Sequence, residues 1–204
     1  MPRSVLPFSK VFSRRGDAPT SPMPESRINP PESFTTVRLL IRKPRPEDAP
    51  LIFNAYASDP EVVRYLTFRP HQALRESEEA VQRFLDNWET GKAFHWLMFH
   101  RESGQLVGAI SARREQGIVL GYCLARRFWR QGYMSEAVNA LVEWAFTDSS
   151  VFRVWAVCDL DNEASAQLLE QNGFHQEGVL RKYSLHPNVS EVPRDCYCYA
   201  KTRV

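Results

Sequence analysis

The 204-residue chain has no apolar run long enough to cross a bilayer. Its uncharged apolar stretches, such as 104–112 and 117–125, fall well short of the ~20 apolar residues that a spanning helix needs, so no membrane partner is expected. An excess of either charge is also missing. The formal net charge is +2, and residues 1–33 supply it with five basic and three acidic side chains, which leaves 21 of each sign in the other 171 residues. A nucleic-acid binder usually carries a basic excess on its domain, so global charge argues against that partner. Cysteine is scarce: Cys123, Cys158, Cys196 and Cys198, with one C-x-C pair. Without a secretory signal, reduced thiols in a cytoplasmic protein are the expectation. Cys196 and Cys198 would share one face of a strand, and no clear second pair offers the further ligands of a metal site, so packing is their expected role. No repeat of fixed period is visible. What remains is ordinary for a soluble globular chain, with 43% apolar and 25% charged residues. The length fits one domain with an appendage, or at most two small ones.

Residues 1–33 hold seven of the 14 prolines and few large apolar side chains. Such a segment cannot bury enough surface to offset its ordering entropy, and it reads as a flexible, disordered tail ahead of a domain at 34–204. Its first 16 residues carry four basic and no acidic side chains; a transit peptide is the alternative, against which the repeated prolines count. From Thr35 the pattern becomes periodic. TVRLLIRK (36–43) reads as a strand, Pro46-Glu47-Asp48 opens a helix to about Ser58, and a short helix follows Asp59-Pro60. Ala80, Val81, Phe84, Leu85 and Trp88 form the stripe of an amphipathic helix over 75–90, ended by Gly91. Three apolar segments, 93–100, 105–112 and 117–125, are separated by turn residues and predict an antiparallel meander. A helix (135–146), a strand (151–159), a helix (162–172) and two last strands near 174–184 and 194–203 complete an α+β chain. The strand-helix-strand run beginning at 117 should add one parallel pair through a right-handed crossover.

Two stretches carry chemistry. In GYCLARRFWRQGYMSEA (121–137) a strand ends, a basic loop follows and a helix begins. Free N–H groups and the positive end of the dipole make such a helix start an anion site. Gly132 permits close approach of a ligand, and Arg126, Arg127 and Arg130 add positive charge. The same residues also read as a helix start with a solvated basic rim. In DLDNEASAQLLEQNGF (159–174) a strand runs into a short helix, and Asn162 is suited either to bind a ligand through its amide or to cap the helix.

Taken together, WRQGYMSEA (129–137) and NEASAQLLEQNGF (162–174) resemble the two signature segments of GNAT-type acetyltransferases, closest to the Rim-type branch that acetylates protein N-terminal amines. The resemblance covers roughly 36–204 and implies a mixed, mostly antiparallel central sheet flanked by helices. It implies acetyl-CoA as co-substrate, with a pyrophosphate loop over Trp129, Arg130, Gln131, Gly132, Tyr133 and Met134, followed by Ser135. Met134 stands where the family has Gly or Ala, and its larger side chain would narrow the approach to the phosphates. The strand Tyr122-Cys123-Leu124 matches the segment whose backbone pairs with the pantetheine arm. Asn162 and Ser165 match positions that bind the arm and face the departing thiolate.

The implied reaction is direct acetyl transfer to an amine. The amine attacks in its neutral form, the oxyanion needs an N–H donor, and the thiolate receives a proton as it leaves. Ser165 is the first candidate for that acid and Tyr183 the second, a phenol being more acidic than an alcohol. No carboxylate lies on the strand before the loop. Glu115, the helix residues Glu76, Glu78 and Glu79, and His95 are the remaining candidates for a base. Glu136, in the first helical turn, is favoured there by the dipole alone. A protein N-terminus is the expected acceptor, with a small-molecule amine or a non-catalytic coenzyme-binding sensor as alternatives. The loops near 66–76 and 184–193 should decide the acceptor. The sequence is silent on oligomeric state.

Overall fold

The computed structural model describes residues 29–203. The tail expected over 1–33 therefore lies, as far as residue 28, outside the described residues. Its last residues belong to the body: the Trp96 indole N–H donates to the Pro31 carbonyl at 2.8 Å, and the Lys43 N–H donates to the Glu32 carbonyl at 2.7 Å. A short strand, β1 (Ser33–Thr35), then pairs with β2 (Leu39–Arg42). A boundary at residue 34 would cut β1.

The helical stretch after Pro46 is continuous but changes its winding. It is tight over Pro46–Asp48, α-helical in α1 (Ala49–Ile52) and wide over Phe53–Ala57. Next come α2 (Pro60–Val63), capped by the Asp59 carboxylate, which accepts from the Glu61 N–H, and α3 (Leu74–Thr90), closed by Gly91 in the left-handed conformation. The meander is β3 (Phe94–His100), β4 (Leu106–Arg114) and β5 (Ile118–Leu124). After α4 (Tyr133–Ala145), β6 (Arg153–Asp159) runs into α5 (Glu163–Gln171), and β7 (His175–Ser184) and β8 (Arg194–Thr202) finish the chain.

The eight strands form one sheet in the order β1-β2-β3-β4-β5-β6-β8-β7, antiparallel throughout except for β5 beside β6. Because side chains alternate along a strand, successive residues of β3 identify the two covers. His95 stacks on Phe84 of α3, whereas Trp96 packs edge-on against Trp144 of α4 and meets only the last turn of α3, at Trp88. Helices α1 and α3, in mutual contact, lie on one face, and α4 with α5 on the other. Leu39, Ile41, Trp96, Ile110, Leu141 and Leu169 are buried between these layers.

The sheet is split near its centre. The parallel pairing of β5 with β6 is confined to Ile118 with Val154 and Val119 with Trp155. Beyond these residues the two strands part, although β5 stays paired to β4 as far as Leu124 and β6 to β8 as far as Asp159. The C-terminal half of β5 thus borders an opening in the sheet.

Candidate active site

The start of α4 stands at this opening. Its N-cap is Gly132, at φ +79°, with no side chain capping the first turn. By contrast, α2 and α5 are capped by Asp59 and Asn162. A Cβ at Gly132 would also come within 3.4 Å of the Arg38 guanidinium. An uncapped first turn presents N–H donors and the positive end of the dipole, a donor set that fits the pyrophosphate of a coenzyme.

The loop before α4 is braced from several sides. The Trp129 indole donates to the Leu124 carbonyl and the Gln131 amide to the Arg127 carbonyl, each at 2.8 Å. Arg38, distant in sequence, donates to the Gln131 carbonyl at 2.9 Å, pairs with Glu136 at 2.7 Å and lies over the Tyr133 ring. Glu136 also accepts from the Thr36 hydroxyl and the Arg38 N–H. Partial burial alone would raise its carboxyl; these bonds outweigh that and hold it below its ordinary value. Glu136 therefore anchors the β2 end to the loop. Ser135 accepts from the Asn172 amide at 3.1 Å, tying α4 to the end of α5.

Two expectations about this loop change. Met134 is 4% exposed and its side chain sits in the main core, so it points away from the solvent-facing loop surface and does not narrow the approach. Of the three arginines, Arg126 is paired with Asp59 at the start of α2, and Arg127 lies against the Phe128 ring. Arg127 and Arg130 are both exposed and make no ion pair among the described residues, and Arg130 is itself at φ +59°.

Alternation along β5 assigns its backbone groups. The Ala125 N–H donates to the Val107 carbonyl of β4, so in the antiparallel ladder Cys123, opposite Ala109, also turns its N–H and C=O toward β4. The part expected of the Cys123 backbone passes to its neighbours, Tyr122 and Leu124, whose groups face the opening. The Leu124 carbonyl is already taken by Trp129. The Tyr122 side chain reaches α5, where its phenol oxygen is 2.8 Å from Ser165 Oγ. Asn162 is the N-cap of α5 and accepts from the Ser165 N–H at 3.2 Å. Asn162, Ser165 and Tyr122 form one connected group at the opening.

Tyr183 does not join them. Its electrostatic neighbours are Glu115, Arg113, Cys198 and Cys196, and burial, the largest cause, raises its phenol. Cys198 belongs to a second small core with Val119, Trp155 and Ala200. Tyr199, the next residue, faces α5 and donates to Glu170 at 2.8 Å. Tyr183 and Ser165 therefore serve opposite faces of the sheet. Three of the candidate bases, Glu115, Glu79 and Glu76, are engaged elsewhere. Glu115 pairs with Arg113 at 2.7 Å, Glu79 pairs with Arg75 at 2.9 Å, and Glu76 accepts from the N–H groups of Gln72 and Ala73 at the start of α3. Glu78 is exposed on α3. Burial lowers His95 to about 4, so it stays neutral.

The loops that should choose the acceptor do meet. The Asn188 amide donates to the Val63 and Phe68 carbonyls at 2.7 and 2.8 Å, and His186 Nδ1 donates to the Tyr65 carbonyl at 2.7 Å. Beneath them Arg194 grips the buried Asp159 carboxylate at 2.5 and 3.0 Å and the Asp161 carboxylate at 2.6 Å. A cleft of about 530 Å³, lined by Arg69, His71, Glu76, Glu79 and Arg83, flanks the first loop. Among the described residues no group of His, Cys, Asp and Glu is placed to hold a metal ion, and no helix is long and apolar enough to cross a membrane.

A sheet opened beside an uncapped helix start, with the Ser165 hydroxyl on the neighbouring helix, fits the class of acyltransferases. Residues 38–175 match the acetyltransferase (GNAT) domain family, and the chain belongs to that family. It is 30% identical over 172 residues to the uncharacterized N-acetyltransferase YoaA of Bacillus subtilis strain 168, across 82% of this chain and 96% of that protein. To the ribosomal protein uS5-alanine N-acetyltransferase of Escherichia coli strain K12 it is 23% identical, across 78% and 87%. The fold is shared with RimL, a ribosomal L7/L12 alpha-N-protein acetyltransferase solved in complex with coenzyme A, with a TM-score of 0.74 at 22% identity over 84% of this chain and 98% of that one.

Proposed function

We propose that this N-acetyltransferase moves the acetyl group of acetyl-CoA directly to a protein N-terminal amine. The observation that carries the reading is the connected group Asn162–Ser165–Tyr122 at the opening of the sheet, beside the uncapped start of α4. The α4 N–H groups and Arg130 hold the pyrophosphate, and Gly132 leaves room for it. The open backbone edge at Tyr122 and Leu124 receives the pantetheine arm. When bound, the coenzyme supplies an activated acyl group. Ser165 donates its hydroxyl hydrogen toward the departing sulfur.

The choice of acceptor rests on acid–base chemistry and on relatives. A protein α-amine has a pKa of about 8 and a lysine about 10.4, so at neutral pH a substantial fraction of α-amine is already neutral. Glu115, Glu76 and Glu79 are all committed to other partners, an arrangement that favours the less basic amine. The Rim-type relatives act on ribosomal proteins. A steady-state assay of thiol release with a panel of peptides and small amines tests the reading. Turnover with free peptide N-termini is expected. Tight coenzyme binding with no turnover on any acceptor would make the chain a sensor, and turnover restricted to small amines would move the acceptor class.

A further inference from the structure

Tyr122 was expected to contribute only backbone to the site, yet its phenol oxygen lies 2.8 Å from Ser165 Oγ, with the Cys158 thiol as a second side chain in reach of the serine hydroxyl. We infer that Tyr122 is a positioning residue, whose phenol donates to Ser165 Oγ and so aims the serine hydrogen at the coenzyme sulfur. The inference rests on the reading of Ser165 given above.

A hydroxyl has one hydrogen to give and accepts through its lone pairs. If the phenol takes one of those lone pairs, the serine hydrogen turns elsewhere. The serine is itself held in place, because its N–H donates to Asn162 Oδ1 at the N-cap of α5. Tyr122 is equally constrained. Burial, the largest cause, pushes its phenol far above its ordinary value, with Cys158 and Tyr199 as further neighbours that raise it. The phenol thus keeps its proton at any working pH, and it orients the serine without itself ionising. Cys158, also pushed up by burial to about 11, remains a thiol. Two hydroxyls in series polarise one another, so the bond from Tyr122 strengthens the one that Ser165 offers.

The chemistry balances without a phenolate. The amine nitrogen forms a bond to the acetyl carbon, and the carbon–sulfur bond breaks with its electron pair on sulfur. The Ser165 hydrogen bond stabilises that thiolate, and the proton lost by the amine goes to water. Tyr122 enters only through the direction of the serine hydrogen.

Tyr122→Phe removes one oxygen and keeps the ring in its packing, so the melting temperature reports whether the fold survives. With the fold intact, kcat is expected to fall by about tenfold, near the lower end for a proton-donor contribution, with KM for acetyl-CoA little changed. Calorimetry supplies a second readout. The wild type should bind coenzyme A more tightly than desulfo-coenzyme A, which lacks the sulfur, and both Tyr122→Phe and Ser165→Ala should narrow that preference. Joining the two substitutions should cost no more than Ser165→Ala alone, because the tyrosine acts through the serine. If Ser165→Ala lowers kcat and the sulfur preference while Tyr122→Phe changes neither, the positioning role is overturned and the Ser165 reading stands. If Ser165→Ala itself moves neither quantity, the reading of Ser165 fails and the role of Tyr122 with it.

Discussion

At Gly132 the backbone adopts φ +79°, and a Cβ there would meet the Arg38 guanidinium at 3.4 Å. A β-branched side chain adds strain in the left-handed region and crowds the first-turn donors of α4. Gly132→Val is expected to weaken coenzyme A binding by at least about tenfold, the equivalent of about 1.4 kcal/mol, in a protein that circular dichroism shows to be folded; unchanged affinity by calorimetry would remove the loop from the binding site. Met134, two residues on, carries the opposite expectation. Its side chain is in the core, so Met134→Ala should cost about 2–4 kcal/mol of stability in denaturant unfolding and bring no gain in coenzyme affinity. The sequence shows the departure from Gly or Ala at this position but not its consequence, because which side of α4 faces the sheet depends on the packed fold.

Among the elements, α4 is held to the turn between β1 and β2 by a clamp that spans almost 100 residues of sequence: Thr36 and Arg38 on one side, Gln131 and Glu136 on the other. Arg38→Ala removes the bond to the Gln131 carbonyl and leaves Glu136 short of a charged partner. A loss of about 1–2 kcal/mol of stability is expected, with coenzyme binding weakened about fivefold as the loop loosens. Titration calorimetry and chemical unfolding measure the two effects, and an Arg38→Ala protein with wild-type affinity would show that the loop holds its shape without the clamp. Periodicity and turn residues made nearly every helix and strand legible, together with the parallel pair at β5 and β6. They could not reveal the clamp, the Tyr122–Ser165 contact or the face on which Tyr183 lies. Spacing within an element says which residues share a side, whereas these contacts depend on which sides meet. The N-cap role of Asn162 was legible, since a cap is a local interaction.

For the whole molecule, the described sheet starts from contacts made by residues 31–33. Pro31 and Glu32 supply carbonyls to Trp96 and Lys43, and Ser33 is the first residue of β1. A chain starting at Asn29 is expected to keep the melting temperature and turnover of the full chain. One starting at residue 34 should melt several degrees lower, since a loss of about 1 kcal/mol moves a domain of this size by roughly 2–4 °C; equal melting temperatures would show that these contacts contribute nothing. Composition does not locate the end of the proline-rich segment, because the residues that dock are themselves a proline and a glutamate.

The proposed reaction turns on which amine is acetylated. The decisive measurement compares kcat/KM for acetyl transfer, followed by mass spectrometry, to a peptide with a free N-terminus and no lysine against the same peptide with a blocked N-terminus and one lysine. The account predicts a single acetyl group on the free N-terminus, at a rate that rises with pH through the α-amine pKa near 8, and little transfer to the lysine peptide. Equal or faster acetylation of the lysine, or coenzyme binding with no transfer to either peptide, would contradict it.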